Sequence, residues 1–356
     1  MIGYAVLLAI ISLTMFFCFV DYKGVFSSKI LLLLMFLIMA FATSNADMAA
    51  YKGWYEYINS IDKIVVTDPA FGLLMYIGNL LGLGYYGFLK ALTVLGLAFV
   101  WLVFKRKSLC PAAILAMYFA LVFLTLTIQI RAFIAETIIY ILITEMVNRE
   151  RFSIWRFCFI LTVAVLFHAS SLFFALLLII PIVKDRKKRS LIVTVAIAIV
   201  PSSAIILRYV PIPMIQEKIN YYLITQRTSF FSAVFLFVLL YICILWLIDY
   251  TRKGATDVRW QGRLGILEDI NIIGLIACAL IVVFNSSFYR MIRIIMIADF
   301  LVLGNYYIEM DNMRLKNRAF VASLNIVFFL SVELLTKQLL DIITNNSLLS
   351  VLLDIT

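Results

Sequence analysis

Apolar runs of about twenty residues follow one another along almost the whole chain, and short polar connections between them hold most of the basic residues. A helical run of that length matches the hydrocarbon thickness of a bilayer, so the alternation limits the chain to a bundle of membrane-crossing helices. Composition agrees: 65% of residues are hydrophobic and 14% charged, with a mean hydropathy of +1.07. A soluble domain carries roughly a quarter charged residues. The expected fold class is therefore all-α, a polytopic transmembrane bundle of about twelve helices (ten to twelve) forming one integral membrane domain over residues 1–356. The opening MIGYAVLLAIISLTMFFCFV has no basic n-region and no small-residue cleavage site before Asp21, so it reads as a retained first helix.

The minor residue types narrow the chemistry. Cys18, Cys110, Cys158, Cys243 and Cys278 are scattered through apolar runs without a CxxC pair, which fits buried thiols and not disulfides or a Cys-ligated metal. One His cannot build a His-rich metal site, and no metal or other cofactor is expected. The net charge of +10 fits basic cytoplasmic loops better than a nucleic-acid partner.

Six short connections hold twenty of the thirty Lys and Arg: Lys23/Lys29, Lys105-Arg106-Lys107, Arg149/Arg151/Arg156, Lys184 with Arg186 to Arg189, Arg252/Lys253/Arg259/Arg263, and Arg314/Lys316/Arg318. If all six face the cytoplasm, an even number of crossings separates each from the next. Helices at about 30–43 and 88–104 then enclose an outer loop, 44–87. Within it 68–86 is short and glycine-rich, so it is expected to lie on the outer surface as an amphipathic segment with short interfacial helices. Helices 109–127 and 132–147 meet near Gln129-Ile130-Arg131. The run 157–183 is long for one helix and short for two, and parity makes it a pair of short helices turning at His168. Further helices are expected at about 190–207, 230–248, 270–285, 291–308 and 319–335, with both termini outside and no internal repeat. Ten basic residues remain for the outer face, and several are Arg at or just inside helix ends.

Those arginines, and the outer loop, carry the candidate chemistry. If 46–58 is helical, Asp47, Tyr51 and Tyr55 fall on one face with Trp54 alongside. A carboxylate at the outer surface can act as general base toward a sugar hydroxyl, and aromatic faces suit the C–H faces of sugars. The bland alternative is an interfacial aromatic belt with Asp47 as a helix N-cap. Arg131 either snorkels to headgroups or binds the diphosphate of a lipid-linked substrate, which a guanidinium fork suits. Arg290 and Arg293 lie three apart on one helical face, and about 2.5–3.5 kcal/mol each in lipid favours a lined cavity over a lipid-facing site. His168, in FHASS, is either a structural residue or part of a site at the proposed hairpin tip. Asp299 is intramembrane and pairs with Arg293 or serves structure. No Walker loop, dinucleotide-binding glycine motif, HExxH or GxSxG elbow occurs.

Taken together, Asp47-X3-Tyr51-X3-Tyr55, Asp68-Pro69-Ala70-Phe71-Gly72, Ile130-Arg131 with Ala135, Phe167-His168-Ala169-Ser170-Ser171 and a late Arg resemble the EpsG-like family of bacterial membrane proteins, which includes Wzy-type polysaccharide repeat-unit polymerases. The resemblance runs over most of residues 40–300. Asp68 stands where the family usually has Glu, Ala132 where it has Gln, and the family's Pro-Tyr ending is missing. The family is similar to the GT-C class of membrane glycosyltransferases, in which an Asp of the first outer loop is the proposed base.

What the resemblance implies is a polymerase of undecaprenyl-diphosphate-linked repeat units (capsule, exopolysaccharide or O-antigen) in a bacterial cytoplasmic membrane. Asp47 is then the base, and Arg131 with Arg290 or Arg293 holds the diphosphate. His168 assists, Tyr51, Trp54 and Tyr55 line the sugar, and Asp68 belongs to the substrate site. The implied partners are a lipid-linked donor and acceptor, membrane lipid, and a chain-length regulator as a candidate, with no nucleic acid. Two other classes stay open: a lipid-linked oligosaccharide flippase or transporter, and a glycan ligase or acyltransferase. A transporter usually shows pseudo-symmetric halves and polar residues along a midplane path. The candidates here gather toward one face.

Overall fold

The computed structural model describes residues 2–42, 47–64, 68–148, 153–207, 238–284 and 288–310. Among them regular structure is helical throughout, with no β-strand. Helices satisfy every backbone group within one segment, which a hydrocarbon surrounding requires. In chain order they are α1 (Ile2–Val20), α2 (Val25–Ala40), α3 (Met48–Tyr57), α4 (Pro69–Leu80), α5 (Tyr85–Lys107), α6 (Pro111–Leu126) and α7 (Ala132–Asn148). There follow α8 (Ile154–Phe167), α9 (Ala169–Ile182, mostly 3-10), α10 (Arg186–Leu207), α11 (Leu239–Gly254), α12 (Val258–Val283) and α13 (Tyr289–Glu309).

Three of these, α5, α12 and α13, are long and apolar enough to cross a membrane; α2, α4, α6, α8 and α9 are apolar but shorter. Helix count and span count are thus different quantities, and the expected twelve crossings do not map one to one onto the thirteen described helices. The twelve residues of α4 rise only about 18 Å, too little for a core of about 30 Å. The expected helix at 319–335, the loop after Leu207 and the Ser286-Ser287 pair lie outside the described residues.

Several helices start or end beyond the expected bounds, for local reasons. Helix α5 runs on through Lys105, Arg106 and Lys107, whose charges suit the negative end of its dipole. Helix α12 begins at Val258, well before the expected 270, because the Asp257 side chain accepts from the Arg259 N–H at 2.7 Å and caps it. The helix also breaks at His168, between α8 and α9, as the FHASS run leads one to expect. Within α6, Phe119–Phe123 forms a π turn whose five side chains are all buried, with Phe119 and Phe123 stacked at 5.9 Å.

The chain divides into two compact units, 1–141 with 158–172 and 300–356, and 142–157 with 173–299. In the first, α2 packs against α1, α5 and α6. The α1–α2 turn is joined to α6 by the Ala112 N–H on the Tyr22 carbonyl at 3.1 Å. Gly96 of α5 leaves room for the Phe133 ring, and Phe104, Tyr118 and Tyr140 meet in a buried cluster with centroids 5.5–6.2 Å apart. Each such pair contributes about 0.5–1.5 kcal/mol beyond its buried area. At the start of α6, Asn305 accepts from the Leu109 N–H at 2.7 Å and donates to the Lys107 carbonyl at 2.8 Å.

In the second unit α10 and α11 both pack on α12. Gly274 admits the Tyr241 ring, whose hydroxyl donates to the Asn271 carbonyl at 3.0 Å. The Asn271 amide donates to Asp299 Oδ1 at 2.7 Å, so this intramembrane carboxyl pairs with an amide. Arg186, Arg189 and Arg252 converge on Glu268 and Asp269: Arg189 Nη2 is 2.6 Å from Asp269, Arg252 Nε 2.6 Å from Glu268, and Arg186 touches both acids. Arg189 Nη1 also donates to the Val183 carbonyl at 3.0 Å, closing the end of α9.

Candidate functional site

In the first unit, four short segments far apart in sequence meet around the side chain of Asp68. The first is α3, which forms as its spacing predicts: Tyr51 and Tyr55 share its buried face, with 3% and 2% of their surface exposed. The Tyr51 N–H bonds the Asp47 carbonyl at 3.0 Å, opening the helix. Asp47 stands at the N-cap position, half-buried, but its carboxylate makes no cap bond.

Helix α4 is locked to α3 by two devices. Asn79 donates to the carbonyls of Tyr55 and Ile58, both at 2.7 Å, and so caps the C-terminal end of α3 from outside. The Tyr55 hydroxyl donates to the Leu83 carbonyl at 2.6 Å, while its ring packs on Phe88 at 4.9 Å. A Cβ on Gly78 would come within 2.9 Å of both Phe88 and the Tyr55 hydroxyl, so only glycine lets the helices approach this closely. Both ends of Tyr55 are therefore engaged by the protein.

Pro69 opens α4 with its fixed φ. Asp68, immediately before it, occupies the N-cap position, yet only its carbonyl, accepting from the Gly72 N–H at 3.0 Å, joins its own helix, and its side chain makes no cap bond. Its Oδ2 accepts from Arg131 Nη1 at 2.5 Å, and its Oδ1 accepts from the Ala169 N–H at 2.9 Å. Nδ1 of His168 stands 3.8 Å from the same Oδ1. Only 6% of Asp68 is exposed. Burial opposes its charge, but the His168 side chain, the Ala169 N–H and Arg131 together hold the carboxyl below the usual carboxylate range.

Arg131 sits in the turn between α6 and α7. Its Nε donates to the Tyr51 hydroxyl at 3.2 Å, and its guanidinium lies 4.8 Å from the Trp54 ring centroid and 5.4 Å from that of Tyr51. Cation–π contacts of this kind contribute about 0.5–2 kcal/mol. Two edges of the fork are committed to Asp68 and Tyr51, which fixes its plane; Nη2 meets no partner among the described residues, and the side chain remains 25% exposed. Burial pushes the Tyr51 hydroxyl up, partly offset by Arg131, so it stays protonated.

The structure thus brings Tyr51, Trp54, Asp68, Arg131 and His168 together, with Asp47 one turn before Tyr51. Arg290 and Arg293 lie on α13 in the second unit, where Arg293 is 7% exposed with its guanidinium 5.1 Å from the Tyr289 centroid. Ala169 and Asn79 were not singled out by sequence. Ala169 contributes only a main-chain donor, and Asn79 gives no signal beyond a polar residue in an apolar helix. Among the described residues, no group of three or more His, Cys, Asp or Glu is arranged to hold a metal ion. The arrangement can receive an anion at a fixed guanidinium flanked by aromatic rings.

A model of the EpsG family matches residues 25–347. No curated protein and no solved structure matches the chain.

Proposed function

The chain belongs to the EpsG family, of Wzy-type polysaccharide polymerase-like proteins, and on that premise we propose that it polymerises undecaprenyl-diphosphate-linked oligosaccharide repeat units at the outer face of a bacterial cytoplasmic membrane. The observation that carries this reading is the fixed Arg131 guanidinium, aimed by Asp68 and Tyr51 and flanked by Trp54. In the proposed reaction Asp47 takes the proton of an acceptor sugar hydroxyl. The acceptor oxygen forms a bond to the donor's anomeric carbon as the bond from that carbon to the phosphate oxygen breaks. The electron pair leaves on the lipid diphosphate, where Arg131 meets the developing charge. Trp54 supports the sugar, while Tyr51 packs beneath it and Tyr55 holds the platform in place. The helical framework is of the GT-C kind.

The test uses Asp47→Asn and Arg131→Ala in a strain making the glycan. Each variant should remain in the membrane while polymer collapses to single repeat units. Polymer of normal length from both would refute the mechanism. In a null strain, single units stranded on the inner leaflet would indicate a transporter, and normal polymer left untransferred would indicate a ligase.

A further inference from the structure

We propose that Asp68 is a positioning residue: it fixes the Arg131 fork against the start of α9 and does not itself touch substrate. The inference rests on the polymerase reading above. Both carboxylate oxygens are already engaged, Oδ2 by Arg131 Nη1 and Oδ1 by the Ala169 N–H with His168 Nδ1 beside it. With 6% of its surface exposed, Asp68 offers a sugar or diphosphate almost nothing to bind.

The geometry explains what the residue does instead. Asp68 leaves the first turn of α4 uncapped and caps α9, since Ala169 is the first residue of that helix. One carboxylate thereby ties together the start of α4, the turn between α6 and α7, and the start of α9. The consequence for Arg131 is directional. An arginine held at Nε by Tyr51 and at Nη1 by Asp68 cannot swing, so its Nη2 end meets an incoming diphosphate without first losing side-chain freedom.

The experiment uses the full-length chain in nanodiscs with lipid-linked repeat units, reading initial rate and polymer length. Arg131→Ala is assayed with and without added methylguanidinium, which can occupy the vacated position only if Asp68 and Tyr51 still define it. Rescue of about ten-fold over the variant alone is expected, the range of one charge-assisted hydrogen bond. The same addition to Asp68→Asn/Arg131→Ala should rescue nothing, and Asp68→Glu/Arg131→Ala should recover part of the effect. Asp68→Asn alone should be slowed about 10–100-fold. Equal rescue with and without the Asp68 charge, or wild-type rate from Asp68→Asn, overturns the proposal. Melting temperature reports folding. Where Asp68→Asn fails to fold, Asp68→Glu carries the test, because it keeps the charge and should polymerise with methylguanidinium-rescuable dependence on Arg131; loss of that dependence overturns the proposal. Normal polymer from Arg131→Ala refutes the polymerase role of Arg131 itself, and this is visible before Asp68 is altered.

Discussion

Both units contain arginines facing carboxylates, but the two clusters are balanced differently. In the second unit, Arg186, Arg189 and Arg252 share Glu268 and Asp269, and Arg189 spends a further donor on the end of α9. Arginines from α10 and α11 there converge on two acids of α12, which is how three helices are clamped. In the first unit a single carboxylate serves Arg131, a main-chain amide and His168, and two of the remaining contacts of Arg131 are ring faces. A guanidinium with a fixed plane, an Nη2 that meets no partner among the described residues and a quarter of its side chain exposed is prepared for an anion from outside. Arginine count says little; the clamp shares acids among arginines of two helices, whereas the site holds one arginine between a carboxylate, a hydroxyl and a ring face.

The largest test of this contrast replaces one charged residue in each cluster. Arg131→Ala should lower polymerisation about 100-fold or more per folded molecule, and it also costs stability because the buried Asp68 carboxylate loses its cation. Asp269→Ala should instead cost about 3 kcal/mol of stability, the low end for a broken pair because Arg186 and Arg189 are only half-buried, with polymer of normal length from the folded fraction. Polymer loss in Asp269→Ala at full stability would erase the distinction. A smaller effect is expected at Gly78→Ala, about 1–3 kcal/mol by thermal unfolding, since the new methyl must displace Phe88 or the Tyr55 hydroxyl. Asn79→Ala should cost about 1–2 kcal/mol, because two carbonyls at the end of α3 lose their donor.

The smallest effect is that of pH. The Asp68 carboxyl is held below its unfolded value of 3.8, so its contribution is complete above that pH and fades only as pH falls through the lower folded value. Unfolding followed from pH 7 to pH 3 should therefore show the Asp68→Asn variant converging with wild type only at the acid end. Convergence near pH 6 would assign the titration to another group.

Much of the platform was legible because it obeys short-range rules. Spacing puts Tyr51 and Tyr55 on one face of α3, and both are buried there. The break at His168 and the turn at Arg131 follow from polar residues interrupting apolar runs. The centrality of Asp68 was not legible, since an Asp before Pro reads as an N-cap, and only three-dimensional packing turns its carboxylate toward residues 63 and 101 positions away. The start of α12 was missed for a related reason. Glu268 and Asp269 look like the end of an apolar run until Arg186, Arg189 and Arg252 arrive from other helices to neutralise them. Local pattern encodes the helices; the pairing of distant charges decides which polar residues they can bury.

The π turn at Phe119–Phe123 carries a consequence for how such chains diversify. A π turn is an α-helix that has absorbed one additional residue. Each residue added to or removed from a helix rotates everything beyond it by about 100°. A descendant that deleted one residue from this turn would return α6 to a regular helix with the Arg131 turn near its present place, whereas a deletion elsewhere in α6 would swing that turn away from Asp68 and Tyr51. The five-residue window is thus the place in α6 where a change of length is best absorbed, and length variation should gather there rather than in the flanking turns.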